Sequence, residues 1–219
     1  MKKAIICFTR VPKPGVTKTR LLPILTGDQC ARPHTAFLKD LASVYENVAA
    51  DLYVSYTADP DWQDLKAIFP AAKDFFAQEG ADLGEKMYRA ICNVLKIGYE
   101  SVVLTGADLP LLGKTHLETG FSALDGADVA IGPTSDGGFY LIGMKSPHEE
   151  VFRVSGYGGA TALENTLAAG KRAGLKVALT LPCDDVDTPE DLRALTCQLS
   201  PESATFRYLR QLKKEGVSI

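Results

Sequence analysis

Short apolar runs alternate with amphipathic stretches along the chain, and this alternation restricts the fold more than any single motif does. The runs at 4–8, 52–56, 102–105, 129–131 and 177–179 have the length and composition of strands buried on both faces, with a further short one at 75–76. Helical periodicity fills the gaps. It covers 28–48, with Ala36, Phe37, Leu41, Val44 and Val48 along one side, then 61–69, 82–96, 114–124 and 161–173. Thr188 and Pro189 open another helix as N-cap and N1, and 203–214 closes the chain with the last. Such order predicts an α/β fold, a mostly parallel central sheet with helices on both faces. The run at 139–143 follows 129–131 too closely for a helical crossover, so it is expected antiparallel at the sheet edge. No linker, repeat or low-complexity segment interrupts residues 1–219, which are expected to form one domain.

The bulk numbers exclude several classes. With 219 residues, 46% hydrophobic and 23% charged, the chain can bury a core without disulfide or metal staples. A net charge of −3 argues against a general nucleic-acid binder, which carries a broad basic surface. The 5 cysteines (Cys7, Cys30, Cys92, Cys183, Cys197) are odd in number, scattered and without a CxxC pair, which reads as reduced thiols. Three histidines without HxxxH spacing give no zinc motif, and His34, His116 and His148 are read as structural residues on helical or loop surfaces. The apolar start is too short for a signal peptide, and no segment is long enough to span a membrane, so a cytoplasmic location is expected.

In open α/β sheets, ligands bind beyond the carboxyl ends of the strands. Four polar loops fall there. The first holds Arg10, Lys13, Lys18 and Arg20 on a frame stiffened by Pro12 and Pro14 and opened by Gly15. It suits a phosphate-bearing ligand, while a solvated charge run is the plainer alternative. It lacks the P-loop pattern. Asp108, between Gly106 and Pro110, is a metal-ligating carboxylate or an Asx-turn. Asp136-Gly137-Gly138 implies close approach of backbone to a ligand, or a tight hairpin. Asp187, near Asp184 and Asp185, is a second metal acid or turn chemistry, and Asp191 is a helix-terminus charge.

Five stretches in this order resemble the GT-A nucleotide-diphospho-sugar transferase superfamily, and within it the DUF2064 or glycosyltransferase A branch. They are Phe8-Thr9-Arg10-Val11-Pro12-Lys13-Pro14-Gly15 with Lys18-Thr19-Arg20-Leu21; Gln78-Glu79-Gly80-Ala81-Asp82-Leu83-Gly84-Glu85; Gly106-Ala107-Asp108-Leu109-Pro110; Gly132-Pro133 through Gly143; and Asp185-Val186-Asp187-Thr188-Pro189. The resemblance implies a Rossmann-like GT-A fold that binds a nucleotide through Mg²⁺ or Mn²⁺. By analogy Arg10, Gly15, Lys18 and Arg20 serve the phosphates, with Gln78 and Glu85 facing the nucleotide. Asp108 and Asp187 are the metal acids, and Gly137 and Gly138 line the sugar or acceptor side. The chain departs from the family where a Trp-containing segment is common, having Val154-Ser155-Gly156-Tyr157-Gly158-Gly159 instead, which bears on the acceptor.

The expected activity is metal-dependent glycosyl transfer from a nucleotide-sugar to a small-molecule acceptor. Asp108 and Lys18 then stabilise the leaving diphosphate, and Asp136 orients or deprotonates an acceptor hydroxyl. The alternative is nucleotidyl transfer, an NTP condensing with a sugar phosphate or small phospho-acid; Lys18-Thr19-Arg20-Leu21 resembles the matching element of guanylyltransferases acting on small phospho-acids. A third reading is a nucleotide-binding regulator without turnover.

Overall fold

The structure, a computed structural model, describes residues 2–195 and 197–217. Seven strands form one sheet: β1 (Lys3–Thr9), β2 (Asp51–Tyr56), β3 (Asp74–Ala77), β4 (Ser101–Thr105), β5 (Val129–Pro133), β6 (Phe139–Met144) and β7 (Val177–Leu179). Their spatial order is β3-β2-β1-β4-β6-β5-β7. All neighbours are parallel except β6, which runs against both β4 and β5.

Among the described residues there are seven α-helices: α1 (Gly27–Glu46), α2 (Asp64–Ile68), α3 (Leu83–Lys96), α4 (Lys114–Ala123), α5 (Ala162–Arg172), α6 (Pro189–Leu195) and α7 (Ala204–Lys214). The period-2 pattern of β1 sets the two layers. Ile5 and Cys7 point into a cluster with Leu41 of α1, Leu65 of α2 and Leu117 of α4. Ala4 and Ile6 point the other way, toward Met87 and Ile91 of α3, with Leu163 of α5 packed alongside. A third cluster joins the outer side of α1, through Phe37, to Leu192 of α6 and Leu209 of α7. Asp40 of α1 accepts from the backbone N–H of Ala204 (2.6 Å) and Thr205 (2.9 Å), capping α7 across this contact. Among the described residues no helix is long and apolar enough to cross a membrane.

The position of β6 corrects the sequence reading. It is antiparallel as expected, but it lies inside the sheet, between β4 and β5, and the edges are β3 and β7. The hairpin turn at 134–138 returns the chain beside β5, and the far side of β6 then pairs with β4 in the register Val102 to Met144 and Thr105 to Leu141. The strand order reverses between β1 and β4, so the loops after these two strands flank a crevice at the carboxyl edge of the sheet.

Candidate active site

The loop after β1 is braced from within. Thr17 Oγ1 accepts from the Lys13 N–H (2.9 Å), and Gly15, at φ +71°, donates its N–H to the Gly27 carbonyl (3.1 Å). The next turn puts Lys18 in the left-handed region at φ 55° and ψ 40°, the one non-glycine residue with positive φ among those described. That conformation costs about 1–2 kcal/mol, and the side chain it directs inward is anchored at its tip. The Lys18 ammonium, only 3% exposed, lies 2.8 Å from Asp108 Oδ1 and 2.8 Å from Asp187 Oδ1 and donates to the Val186 carbonyl. Arg20, at the surface, reaches Asp187 Oδ2 at 3.1 Å.

The loops carrying the two acids are tied together by backbone, since the Val186 N–H donates to the Asp108 carbonyl (2.9 Å). Asp191 accepts from the N–H groups of Asp187 (3.0 Å) and Thr188 (2.7 Å), while Thr188 Oγ1 accepts from the Asp191 N–H (3.2 Å). This reciprocal cap fixes the entry to α6 and so the position of Asp187. Burial pushes the Asp108 carboxyl upward, but the Lys18 ammonium and the His34 ring outweigh it and hold the group well below the usual carboxylate range. Asp185 goes the other way: burial, then the neighbouring carboxylates of Asp187 and Asp136, push it up to about 6.

His34 corrects the sequence reading, which put it on a helix surface. It is 2% exposed, its Nδ1 is 3.0 Å from Asp108 Oδ1, and its Nε2 is 3.2 Å from Thr9 Oγ1 and 3.3 Å from the Arg10 carbonyl. The signal was available: Ala31, Phe37, Leu38 and Leu41 lie three, three, four and seven residues away, on the same helix face. The other two histidines are half-buried. His116 accepts from the Gly113 N–H at 3.0 Å.

The remaining expected residues separate into two groups. Arg10 is exposed and borders the crevice. Lys13 turns away to pair with Asp59 and Asp61, each at 2.7 Å. The Gln78 amide donates to the Thr9 (2.9 Å) and Ser55 (3.2 Å) carbonyls, stitching the ends of β1 and β2 beneath the crevice. Glu85 accepts from the Ala81 N–H (2.8 Å) and pairs with Arg89 at the start of α3, outside the crevice lining. In 134–138 the hairpin alternative is the one observed. Asp136 Oδ1 accepts from Gly138 N–H (3.0 Å) and from the Thr134 hydroxyl, and Gly137, at φ +89°, lies so close to the Ala160 carbonyl that a Cβ would stand 2.1 Å from it. Gly138 still lines the crevice.

Three cavities meet at Asp108. One of about 470 Å³ runs along Thr9, Arg10, Thr57, Gln78 and Lys86. One of about 220 Å³ surrounds Lys18, Arg20 and Asp187. The third, about 230 Å³, lies over Leu83, Met87, Phe139, Tyr157 and Asp136.

A family model described as an uncharacterized protein conserved in bacteria, DUF2064, matches residues 40–158, more than half of the 219. The chain belongs to the DUF2064 family. The matched span takes in Asp108 and the hairpin, but Lys18 and Asp187 lie outside it. A crystal structure from Desulfovibrio desulfuricans G20, described as that of a nucleotide-diphospho-sugar transferase, superposes on the DUF2064 chain with a TM-score of 0.90 at 33% identity, covering 98% of this chain and 96% of that one. A 2-phospho-L-lactate guanylyltransferase of Methanocaldococcus jannaschii is 25% identical over 201 residues, covering 89% of this chain and 83% of its own. A cytidylyltransferase of Leptospira borgpetersenii shares the fold at a TM-score of 0.59 and 15% identity, covering 99% and 95%. The enzyme class expected of the DUF2064 chain, a transferase, is that of these relatives.

Proposed function

We propose that the DUF2064 chain is a divalent-metal-dependent nucleotidyltransferase that joins a nucleoside monophosphate, taken from an NTP, to a small phosphorylated acceptor. The observation that carries this reading is the buried Lys18 ammonium held between Asp108 and Asp187 at the switch point of the sheet. Similarity to the guanylyltransferase supports nucleotidyl over glycosyl transfer.

Among the described residues no group of three or more His, Cys, Asp and Glu side chains is poised to hold a metal by itself. Mg²⁺ does not need one: it is commonly bound by one or two carboxylates, with substrate phosphates and waters completing its octahedron. The Asp108 and Asp187 pair fits that demand, and their shared contact with the Lys18 ammonium supports a place for positive charge between them. Asp108 and Asp187 would hold Mg²⁺ or Mn²⁺, which when bound offsets charge on the triphosphate.

Lys18, Arg10 and Arg20 bind the triphosphate, and the larger cavity bordered by Thr57, Gln78 and Lys86 receives the nucleoside. An oxygen of the acceptor phosphate attacks the α-phosphorus. The bridging P–O bond toward the β-phosphorus breaks, and pyrophosphate leaves with the electron pair beside Lys18 and Arg20. A phosphate nucleophile is already ionised near neutral pH, its second pKa being about 6, so this chemistry needs no general base at Asp136.

Glycosyl transfer is the second reading, favoured by the description of the D. desulfuricans relative. The test is to incubate the chain with Mg²⁺, each of the four common NTPs and a set of sugar phosphates, phospho-acids and phospho-alcohols. Pyrophosphate release that requires both substrates is the expected result. Nucleoside diphosphate release from a nucleotide-sugar, with no pyrophosphate from any NTP, overturns it.

A further inference from the structure

The cavities that meet at Asp108 differ in charge. The nucleoside and clamp cavities carry Arg10, Lys13, Lys18, Arg20, Lys86 and His34. The third, beside the 134–138 hairpin, has no lysine, arginine or histidine in its lining. Its lining includes Asp136 and Asp185 together with Phe139, Tyr157, Leu83 and Met87. Phe139 and Tyr157 meet edge to face, with ring centroids 6.2 Å apart and planes at 75°. Asp136 commits Oδ1 to the hairpin and keeps Oδ2 without a partner among the described residues. Asp185 makes no ion pair among them.

An acceptor entering here meets negative charge and aromatic rings beyond its reacting end. A second carboxylate, as in a phospho-acid, would face two carboxylates with no lysine, arginine or histidine in the cavity lining to offset them. An ammonium would gain both the carboxylates and the rings, since cations are attracted to the faces of Tyr and Phe. The volume, about 230 Å³, is roughly eight water molecules' share of the liquid, below the usual range of drug-sized sites, about 300–1,000 Å³. That volume suits a small end group on an acceptor whose other end reaches Asp108.

We propose that this cavity takes the cationic end of a small zwitterionic acceptor: a phosphate or phosphonate at the reacting end, near Lys18 and Asp108, and a primary or quaternary ammonium among Asp136, Asp185, Phe139 and Tyr157. The reacting end rests on the nucleotidyl-transfer reading. One P–O bond forms at the α-phosphorus, the one to pyrophosphate breaks, and the ammonium is unchanged throughout. Asp136 then acts as a specificity residue for the acceptor.

The test compares binding of three probes of related shape to the intact chain, with Mg²⁺ and a non-hydrolysable NTP present, by ligand-observed NMR and calorimetry. Phosphocholine carries the cation, 3,3-dimethylbutyl phosphate is its neutral isostere, and 2-phospholactate carries a second anion. Phosphocholine is expected to bind at least about tenfold more tightly than the isostere, and 2-phospholactate most weakly. Asp136→Asn, which retains an acceptor for the Gly138 N–H, and Phe139→Leu should each reduce the preference of phosphocholine over the isostere to within about twofold. Equal binding of the two isosteres, tightest binding of 2-phospholactate, or a preference that survives both substitutions overturns the proposal. Pyrophosphate release is scored separately. Its absence with every acceptor removes the nucleotidyl-transfer reading, whereas the isostere comparison judges the cavity by binding alone.

Discussion

The loop after β1 and the hairpin between β5 and β6 sit at the same sheet edge and both turn on a glycine with positive φ, yet they are held by opposite means. A Cβ at Gly15 would meet nothing within 4 Å, and its loop is pinned by charge, through the Lys18 ammonium on Asp108 and Asp187. A Cβ at Gly137 would collide with the Ala160 carbonyl, and that hairpin is pinned by backbone packing. A charge-held loop responds to ligand, metal and pH. A packing contact such as that at Gly137 carries no charge and does not depend on them.

The largest expected effect falls on the charged side. Asp108→Asn should lower the rate of pyrophosphate release by about 100-fold or more while the folded state persists, the size expected when electrostatic stabilisation is removed at a reacting centre. Lys18→Met should do the same and also destabilise, because it leaves two carboxylates facing each other. The loss should be about 2 kcal/mol by urea unfolding, below the 3–5 kcal/mol of a fully buried pair, since the two carboxylates keep 36% and 32% of their surface exposed. Equal unfolding midpoints for Lys18→Met and wild type would break the contrast between the loops.

The glycines give the next test. Gly137→Ala should cost about 3 kcal/mol or more, from a strained φ plus a collision with backbone; Gly15→Ala should cost about 1 kcal/mol, from φ alone. Similar costs at the two positions would refute the distinction.

pH separates the sides further. Asp108 titrates below its unfolded value of about 3.9, so the folded chain binds fewer protons there. Its contribution to stability is present above about pH 4 and is lost as the pH falls. Asp185, pushed up to about 6, has the reverse sign: the unfolded chain releases its proton first, and stability falls as the pH rises from about 4 through 6. Asp185→Asn should therefore be more stable than wild type at pH 7, by about 1 kcal/mol after solvent screening, and indistinguishable from it near pH 4. Thermal melts at the two pH values measure this.

Smaller effects close the series. His34→Gln, which keeps a donor near Asp108 but not the ring's second contact, should lower kcat about tenfold with little change in KM for the NTP. Lys13→Ala should leave NTP binding within about twofold, because that cation is already paired with Asp59 and Asp61.

The layers of this fold could be read from β1 alone, where Ile5 and Cys7 alternate with Ala4 and Ile6 and serve two different cores. That the loops holding Lys18, Asp108 and Asp187 share the carboxyl edge was legible too, because each follows a strand, whereas the direct pairing of Lys18 with both acids was not read. What escaped were features set by pairing rather than by local pattern. The insertion of β6 beside β4 depends on which strand edge is vacant, and no periodicity in 139–144 encodes that. Lys13 was read by its charge and Glu85 by the family resemblance, and their partners, Asp59 with Asp61 and Ala81 with Arg89, decide their direction. The left-handed turn at Lys18 is imposed by what the ammonium reaches, 90 and 169 positions further along the chain.

The reversed strand β6 has a consequence for how such a protein diversifies. Because it returns directly beside β5, the 134–138 turn joins two strands already locked in the sheet, and it is tied to a crossover helix at Gly137, whose carbonyl accepts from the Leu163 N–H of α5 (3.0 Å). Gly137 is fixed by that contact, but the side chains at 134–136 lie at the tip of the turn and can be exchanged without touching β1 or β4. Under the proposed nucleotidyl transfer, a lineage can thus change its acceptor while the cluster of Lys18, Asp108 and Asp187 stays in place.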